Sequence, residues 1–503
     1  MKERQSGVLM HISSLPGKYG IGSFGKSAYD FVDFLVRTKQ RYWQILPLGT
    51  TSYGDSPYQS FSAFAGNTHF IDFDRLIEEG LLTESELDGL DFGQDPRKVD
   101  YAKVFNNRRP VLEKAVKRFL ERGDLAAYEK FVADNASWLE VFVEYMAIKE
   151  HFDLKAWTEW PDAAVRRREA SSLATYREKL ADRLTYHRVT QYLFFKQWLE
   201  LKNYANEHHI EIVGDMPIYV AADSADVWAQ PHFFKTDAVG KPTCVAGCPP
   251  DEFSETGQLW GNPLYRWEYH RQTGYEWWLK RLSHCFKLYD AVRIDHFRGF
   301  DQYYSIPYGA EDATRGHWEQ GPGIDLFNRV RQVLGEKEVI AEDLGYVTDS
   351  VRKLVYDSGF PGMKVLEFAF DSRDSGCAND YLPHNYPENS VAYTGTHDNE
   401  TLAGWFDSIT KEEQNMVRDY LCDHYTPKKY LYKSLNSLVM RSKAALCVIP
   451  MQDYLGLDNH YRMNKPSTVG ENWKWRLKKG ELTDLLKEEI RGMTRRYGRL
   501  NGQ

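Results

Sequence analysis

The segment 289–300, YDAVRIDHFRGF, holds the residues best suited to chemistry in this chain. Its apolar run predicts a buried strand that ends in a charged cluster. Arg293 and Asp295 stand two positions apart, so a strand would turn both side chains to one face. The cation favours an ionised carboxylate at Asp295. Enzymes often present catalytic groups at strand tips in this way, but a structural ion pair would show the same pattern.

Other predicted strands along the chain also end in polar side chains. Ion pairs could account for one or two of these ends but hardly for all of them, so the pattern predicts a catalytic face where the strands end. The polar groups in question are Asp215, Glu342 with Asp343, Asp371, His397 with Asp398, and Asp453.

The motifs that mark several other chemistries are missing from the sequence. It contains no H-E-x-x-H, P-loop or G-x-S-x-G pattern. His296 follows Asp295 and His397 precedes Asp398, but neighbouring strand residues point to opposite faces, so neither pair is expected to chelate one metal ion. Several carboxylates on one face, with aromatic loops nearby, are typical of glycoside chemistry. We therefore expect no metal at the site.

A glycine pattern near the N-terminus, Gly20-x-Gly22-x-x-Gly25, formally matches a dinucleotide-binding fingerprint. Such a site also needs an acidic residue at the tip of the next strand. The next predicted strand, 42–46, runs into Pro-Leu-Gly, and no acid stands there. We interpret the glycines as part of a loop over a pocket and expect no nucleotide cofactor.

Eight segments have the composition of buried strands, and helical segments separate them. This alternation predicts a (β/α)8 TIM barrel of the α/β class, with large, mainly helical inserted subdomains. The expected strands cover residues 8–12, 42–46, 210–217, 291–294, 338–345, 363–370, 391–396 and 444–450.

Two regions lie outside this alternation. From about 75 to 205 the charged residues become dense and the apolar period becomes helical. We interpret 75–205 as a mainly helical insertion between barrel strands 2 and 3, and 240–275 as a region of active-site loops. The loop 54–64 is polar and aromatic, and loops after barrel strands often carry function. Residues 1–503 are expected to form a single catalytic barrel with these additions.

The composition argues against several classes of partner. The 503-residue chain has a formal net charge of −8, which disfavours nucleic acid and anionic membranes. Its longest apolar stretches span about eight residues, far below the roughly 20 that a membrane helix needs. Six scattered cysteines predict no disulfide framework, and no signal peptide is recognisable, so a cytoplasmic protein is expected. An aromatic share of 14% suits stacking on sugars.

Several longer motifs stand at the strand ends and in the loops. They are SSLP at 13–16 with the glycines that follow, the loop 54–64, GDMPIYV at 214–220, GQLWGNP at 257–263, RIDHFR at 293–298, AEDLG at 341–345, THDN at 396–399 and RMN at 462–464. Together these motifs make the chain resemble the amylomaltases, the 4-alpha-glucanotransferase (disproportionating enzyme) family, over essentially its whole length. That resemblance implies a barrel related to the α-amylases, α-1,4-glucans such as malto-oligosaccharides, starch and glycogen as partners, and no required metal or organic cofactor.

The resemblance also implies roles for individual residues. It makes Asp295 the nucleophile, Glu342 the general acid and base, and Asp398 the stabiliser of the transition state. It places Arg293 and His397 around the reacting sugar. Further residues implied near the glucan are Tyr58, Ser56, Asp215, Trp260, Asp371 and Asn464.

Two positions depart from the family's usual pattern. Cys248 stands where valine is expected, and Leu402 follows Thr401 where a polar residue is more usual. Neither position is adjacent in sequence to Asp295, Glu342 or Asp398. These two residues could alter acceptor preference or loop packing, and the sequence does not distinguish between the two effects.

The implied activity is a retaining transfer of an α-1,4-glucan segment from a donor to the 4-hydroxyl of an acceptor, through a glycosyl-aspartate intermediate. Burial and neighbouring carboxylates are expected to raise the pKa of Glu342 so that it is protonated at neutral pH. Aromatic loops bearing Tyr58 and Trp260 are expected to hold the acceptor and exclude water. Two alternatives remain, namely a hydrolase with the same three carboxylates and a non-catalytic glucan-binding protein.

Overall fold

The computed structural model describes residues 4–52, 54–250, 254–345, 347–372 and 379–500. Within these ranges the chain forms twelve strands. They are β1 (Gln5–Leu9), β2 (Tyr42–Gln44), β3 (Glu211–Pro217), β4 (Cys244–Cys248), β5 (Gln258–Pro263), β6 (Ala291–Asp295), β7 (Gln302–Pro307), β8 (His317–Gln320), β9 (Glu338–Ala341), β10 (Gly362–Val365), β11 (Ser390–Tyr393) and β12 (Leu446–Pro450).

The same ranges contain seventeen α-helices, six of which, α2 to α7, lie between β2 and β3. They are α1 (Lys26–Arg37), α2 (Phe73–Glu78), α3 (Tyr101–Arg122), α4 (Leu125–His151), α5 (Ala163–Arg166), α6 (Ala170–Lys179), α7 (Ala181–Glu207), α8 (Ala225–Ala229), α9 (Trp267–Gln272), α10 (Glu276–Leu288), α11 (Ile324–Leu334), α12 (Asp349–Ser358), α13 (Leu402–Ser408), α14 (Lys411–Leu421), α15 (Leu431–Met440), α16 (Met451–Leu455) and α17 (Asp484–Arg496).

Eight of the strands close into a parallel barrel in the order β1-β12-β11-β10-β9-β6-β3-β2. All eight predicted strands are among them, so the predicted (β/α)8 barrel is confirmed. Several strands end earlier than expected. The segment predicted at 363–370, for example, leaves the barrel after Val365 and continues as a single 3-10 turn, Leu366–Phe368. Composition could not locate this end because the turn is as apolar as the strand before it.

The barrel strands bury both of their faces, which explains their nearly continuous apolar composition. On β6, Ala291 packs into the cluster inside the barrel, whereas Val292 packs outward against the helices. The same alternation places Val213 of β3 inside and Ile212 outside. This period of two decides which side chains reach the open end of the barrel.

A long helical region fills the chain between β2 and β3. Its longest helices are α3, α4 and α7. Arg108 of α3 is fully buried, and its guanidinium donates to the carbonyl of Ile71 and lies 3.9 Å from the ring centroid of Phe73. The start of the region pairs with the C-terminal part of the chain, since the Val99 amide donates to the carbonyl of Lys474 at 2.8 Å. These contacts attach the helices to the side of the barrel that carries the loops.

A second, antiparallel sheet of order β5-β4-β7-β8 lies outside the barrel. Two of its strands, β4 and β5, fall in the region 240–275, where the sequence predicts loops. The pattern concealed them because both strands are short and each contains a glycine, which weakens the strand signal. The strand β7, which pairs with β4, begins about 54 residues after β4 ends, and such non-local pairing leaves no local signal.

Candidate active site

Arg293 joins two carboxylates, Asp215 within β3 and Asp295 at the end of β6. Its Nη1 donates to both carboxylate oxygens of Asp215, at 2.8 and 2.7 Å. Its Nη2 lies 3.0 Å from Oδ1 of Asp295, and the arginine side chain is only 4% exposed. The prediction that Arg293 and Asp295 share one face of the strand is confirmed, and Asp215 is the third member of the group.

Burial affects the charge of Asp295 more than Arg293 does. Removal from water raises the pKa of the carboxyl to about 6, against the opposing charge of Arg293, and the charges of Asp215 and Asp398 raise it further. The side chain is still 29% exposed, so it faces an open cleft. Asp295 is therefore mainly ionised at neutral pH, as expected, but its pKa lies closer to neutral pH than the ion pair with Arg293 alone would place it.

Glu342 follows β9 and is held by two backbone amides. The His296 amide donates to its Oε2 at 2.6 Å and the Leu344 amide to its Oε1 at 3.0 Å. His296 adopts a left-handed backbone with φ of 55°, and this turn follows directly after β6. Burial, and after it the charge of Asp295, raises the pKa of Glu342 to about 7. The rise expected from burial and neighbouring carboxylates is thus found.

Asp398 lies in the loop after β11 among groups that favour its charged form. His397 Nε2 is 3.3 Å from its Oδ2, and Asn464 Nδ2 donates to its Oδ1 at 2.7 Å. Although burial opposes ionisation, the nearby His397 and the Asn464 bond hold the pKa of the Asp398 carboxyl well below its usual range. Asp398 also raises the pKa of His397. The carboxylate is 44% exposed and open to a ligand.

Tyr58 links the Asp215 group to the Asp398 group. Its hydroxyl donates to Oδ2 of Asp215 at 2.6 Å and lies 3.4 Å from Nδ1 of His397. The two rings are stacked, with centroids 5.0 Å apart and planes 16° from parallel. A continuous polar chain therefore runs from Asp295 through Arg293, Asp215, Tyr58 and His397 to Asp398.

Ser56 and Trp260 contact members of this cluster. The Ser56 hydroxyl accepts the amide of Tyr58 at 3.2 Å and shapes the turn that carries the tyrosine. Trp260, on β5, is half-buried and meets the His296 ring edge-on at a centroid distance of 4.8 Å. His296 is the residue whose amide holds Glu342, so Trp260 borders the Glu342 side of the cleft.

Asp371 and the two atypical positions lie elsewhere. Asp371 is half-buried in the loop that follows β10, and its place near the glucan stays a prediction. Cys248 ends β4, where it pairs with Gln258 of β5. Leu402 begins α13 fully buried, and its amide donates to the Asp453 carboxylate at 2.8 Å. The structure thus places an apolar side chain where an apolar side chain fits.

Arg462 and Trp473 are two contributors that the sequence did not single out as site residues. Arg462 Nη2 donates to the Asp398 carbonyl at 2.8 Å, and its Nε donates to the Asn464 carbonyl at 2.9 Å. Trp473 packs against the rings of Tyr58 and His397. Arg462 stands in the RMN motif, which could have drawn attention to it. Trp473 had no comparable signal.

The described residues show neither a metal-binding cluster nor a membrane-spanning helix. No group of three or more histidine, cysteine, aspartate and glutamate side chains there is arranged to hold a metal ion. None of the helices in the described ranges is both long and apolar enough to cross a membrane.

Comparison with known proteins gives the same family over the full length. The family model described as 4-alpha-glucanotransferase matches residues 10–483. The 4-alpha-glucanotransferase of Streptococcus pneumoniae is 61% identical over 503 residues, which is 100% of this chain and 98% of that protein. The enzyme of that name from Thermus thermophilus is 45% identical, with 99% of each chain covered.

A solved structure agrees with these relatives. The amylomaltase from Streptococcus agalactiae, in complex with acarbose, superimposes with a TM-score of 0.96 at 48% identity, covering 99% of this chain and 100% of the other. The family resemblance that the motifs indicated is confirmed, and the chain belongs to the 4-alpha-glucanotransferase family.

Proposed function

We propose that this enzyme transfers a segment of α-1,4-glucan from a donor chain to the 4-hydroxyl of an acceptor sugar, through a covalent glycosyl-Asp295 intermediate. The observation that carries the proposal is the relation between Asp295 and Glu342. The charge of Asp295 is one of the causes that raise the pKa of Glu342 to about 7. A retaining glycoside mechanism requires such a pair, one carboxylate ionised and one protonated.

In the first half-reaction the Asp295 carboxylate attacks the anomeric carbon. The bond from that carbon to the glycosidic oxygen breaks, and the proton of Glu342 goes to the leaving oxygen. The products are a glycosyl ester on Asp295, an ionised Glu342 and a shortened donor with a free 4-hydroxyl. No cofactor is required for this balance.

The second half-reaction reverses these changes with a new acceptor. While Asp295 is an ester it carries no charge, so one of the causes that raise the pKa of Glu342 is removed. Glu342 then stays ionised and can accept the proton of the acceptor 4-hydroxyl as that oxygen attacks the ester. When the ester breaks, the charge of Asp295 returns and favours the protonated form of Glu342 again. The two carboxyls thus reset one another in each cycle.

Asp398 and the groups around it suit the positive charge that develops on the sugar ring. The pKa of Asp398 is held well below its usual range, so its charge is present throughout the working pH range. His397 and Arg293 surround the same space and could donate to sugar hydroxyls. Preorganised charge of this kind stabilises a transition state because it needs no reorganisation during the reaction.

The substrate class is inferred from the family and from the cleft. The Streptococcus agalactiae relative is in complex with acarbose, which supports a carbohydrate ligand for this chain as well. A cavity of about 1160 Å³ lies between the loop that carries Tyr58 and the helices α3, α4 and α7, and Asp295, Glu342 and Asp398 are not among its lining residues. We infer that it could hold part of a glucan chain away from the reacting bond.

The domain organisation and the location of the enzyme are part of the same proposal. We infer that the helical region 75–205 and the region 240–275 serve the barrel as parts of one catalytic unit, since Trp260 of β5 borders the Glu342 side of the cleft. A reducing cytoplasm suits a chain whose described cysteines are free thiols. These are Cys244, Cys248, Cys285, Cys422 and Cys447.

Incubation of the purified enzyme with maltotriose tests the activity. Transfer produces glucose together with a ladder of longer malto-oligosaccharides, while the number of reducing ends stays constant. A hydrolase would increase the number of reducing ends and form no products longer than the substrate. A binding protein would leave maltotriose unchanged, and an inactive Asp295→Asn variant provides the background.

A further inference from the structure

Trp473 occupies an unusual backbone conformation beside the catalytic cluster. Its φ is 66°, in the left-handed region that bulky residues rarely adopt. Its side chain is only 6% exposed. A strained conformation of this kind persists only where the surrounding structure enforces it, and such residues are concentrated at functional sites.

The backbone of Trp473 is fixed on both sides. Its amide donates to the carbonyl of Met463 at 2.7 Å, and its carbonyl accepts the hydroxyl of Tyr101, the first residue of α3, at 2.7 Å. The preceding Asn472 closes the loop, because its side chain accepts the amide of Lys465 at 2.9 Å and donates to the carbonyl of Thr468 at 2.8 Å. The tryptophan is thus held from the barrel loops and from the helical region.

The indole packs against the two rings that link the catalytic groups. Its centroid lies 5.7 Å from the Tyr58 ring and 5.9 Å from the His397 imidazole. Those two rings are themselves stacked at 5.0 Å. The Tyr58 hydroxyl reaches Asp215, and His397 reaches Asp398. A shift of the indole would therefore be transmitted to both ends of the polar chain.

We propose that Trp473 is a positioning residue for the transfer reaction, whose indole holds Tyr58 and His397 in their stacked arrangement and so fixes the wall of the cleft that faces the reacting sugar. This inference rests on the function proposed above. Trp473 itself need not touch the substrate. The alternative is that it only fills space in the core, in which case its loss would lower stability and leave turnover by the folded enzyme unchanged.

The variants Trp473→Leu and Trp473→Phe separate these possibilities. Leucine keeps an apolar side chain but removes the ring, whereas phenylalanine keeps a ring at the same place. A displacement of catalytic groups by about 1 Å can lower turnover by about 100-fold. We expect Trp473→Leu to lower kcat by about 10- to 100-fold with a smaller change in KM, and Trp473→Phe to recover most of that loss.

Two donors and one matched control make the assay specific. The loss should be similar on maltotriose and on α-maltosyl fluoride, because the wall of the cleft is needed whatever the leaving group is. Trp160 is fully buried in the helical region, and its ring packs against Tyr145 and Trp228 instead. Trp160→Leu measures the effect of losing a buried indole away from the cleft. All rates are taken well below the melting temperature of each variant.

A variant at a different position, Tyr101, keeps the inference testable if Trp473→Leu does not fold. Tyr101→Phe removes only the hydroxyl that bonds the Trp473 carbonyl, and it should lower kcat by a few-fold in the same way. A kcat for Trp473→Leu within about twofold of the wild type, or a loss no larger than that of Trp160→Leu, would overturn the inference. Wild-type enzyme that shows no transfer on maltotriose would instead overturn the proposed function.

Discussion

The pH dependence of kcat/KM should be a narrow bell, with its limbs set by Asp295 and Glu342. The proposed reaction needs Asp295 ionised, and its pKa is raised to about 6. It also needs Glu342 protonated, and its pKa is raised to about 7. Activity is therefore lost below the first value, as Asp295 gains a proton, and above the second, as Glu342 loses one.

The two pKa values determine how narrow the bell should be. For independent groups with these pKa values, the active protonation state holds about 0.6 of the enzyme near pH 6.5 and about 0.1 at pH 5 or pH 8. We therefore expect kcat/KM to fall about sixfold within 1.5 pH units on either side of its maximum. The apparent values belong to the pair, because the charge of each group affects the other.

Initial rates on maltotriose from pH 4.5 to 8.5, at constant ionic strength, measure this profile. The matched experiment uses α-maltosyl fluoride, whose leaving group needs little help from an acid. On the fluoride the limb at high pH should weaken, because it reports Glu342, while the limb at low pH should stay. A maltotriose profile that is flat between pH 5 and pH 8 would refute the assignment of the two groups. Identical profiles on both donors would refute the acid role of Glu342.

Three substitutions test the same site. Asp295→Asn should fold as the wild type does by circular dichroism and lose nearly all transfer, and substantial remaining activity would refute its role as nucleophile. Glu342→Gln should keep more activity on the fluoride than on maltotriose. Folding raises the pKa of Glu342 from 4.5 to about 7, so the wild type loses stability as the pH rises through that range. Glutamine has no such proton to lose. In thermal unfolding, Glu342→Gln should therefore be about 1–3 kcal/mol more stable than the wild type at pH 8 and equally stable at pH 4. Trp260→Ala should raise the KM for the acceptor and the share of intermediate lost to water, and an unchanged ratio of reducing ends to free glucose would mean that Trp260 only packs its loop.

The sequence contained enough information for the barrel because the strands are buried on both faces. Apolar runs such as Val8-Leu9 and Ala291-Val292 indicate strands that are buried on both faces, and the helices between them follow a 3.6-residue period. It also located the polar strand ends at Asp215, Asp295 and Glu342. The RIDHFR, AEDLG and THDN motifs made the family recognisable before any contact was known.

Local patterns were weaker where structure depends on distant partners. The antiparallel sheet of β4, β5, β7 and β8 escaped prediction because its strands are short and its central pairing, β4 with β7, joins segments far apart in the chain. The end of β10 at Val365 is likewise set by the departure of the chain from the barrel, which the apolar Leu366–Phe368 turn conceals.

The sequence by itself determined which residue types stand at the strand ends, and therefore the class of chemistry. Only the tertiary structure decided how they act on one another. In the fold, Arg293 binds Asp215 as well as Asp295, and burial is the main influence on the pKa of Asp295. The fold also placed Trp473, which lies about 75 residues after Asp398 in the chain, against the His397 ring. Electrostatic interactions and packing depend on the distances between side chains in space, and those distances are set only when the barrel has closed.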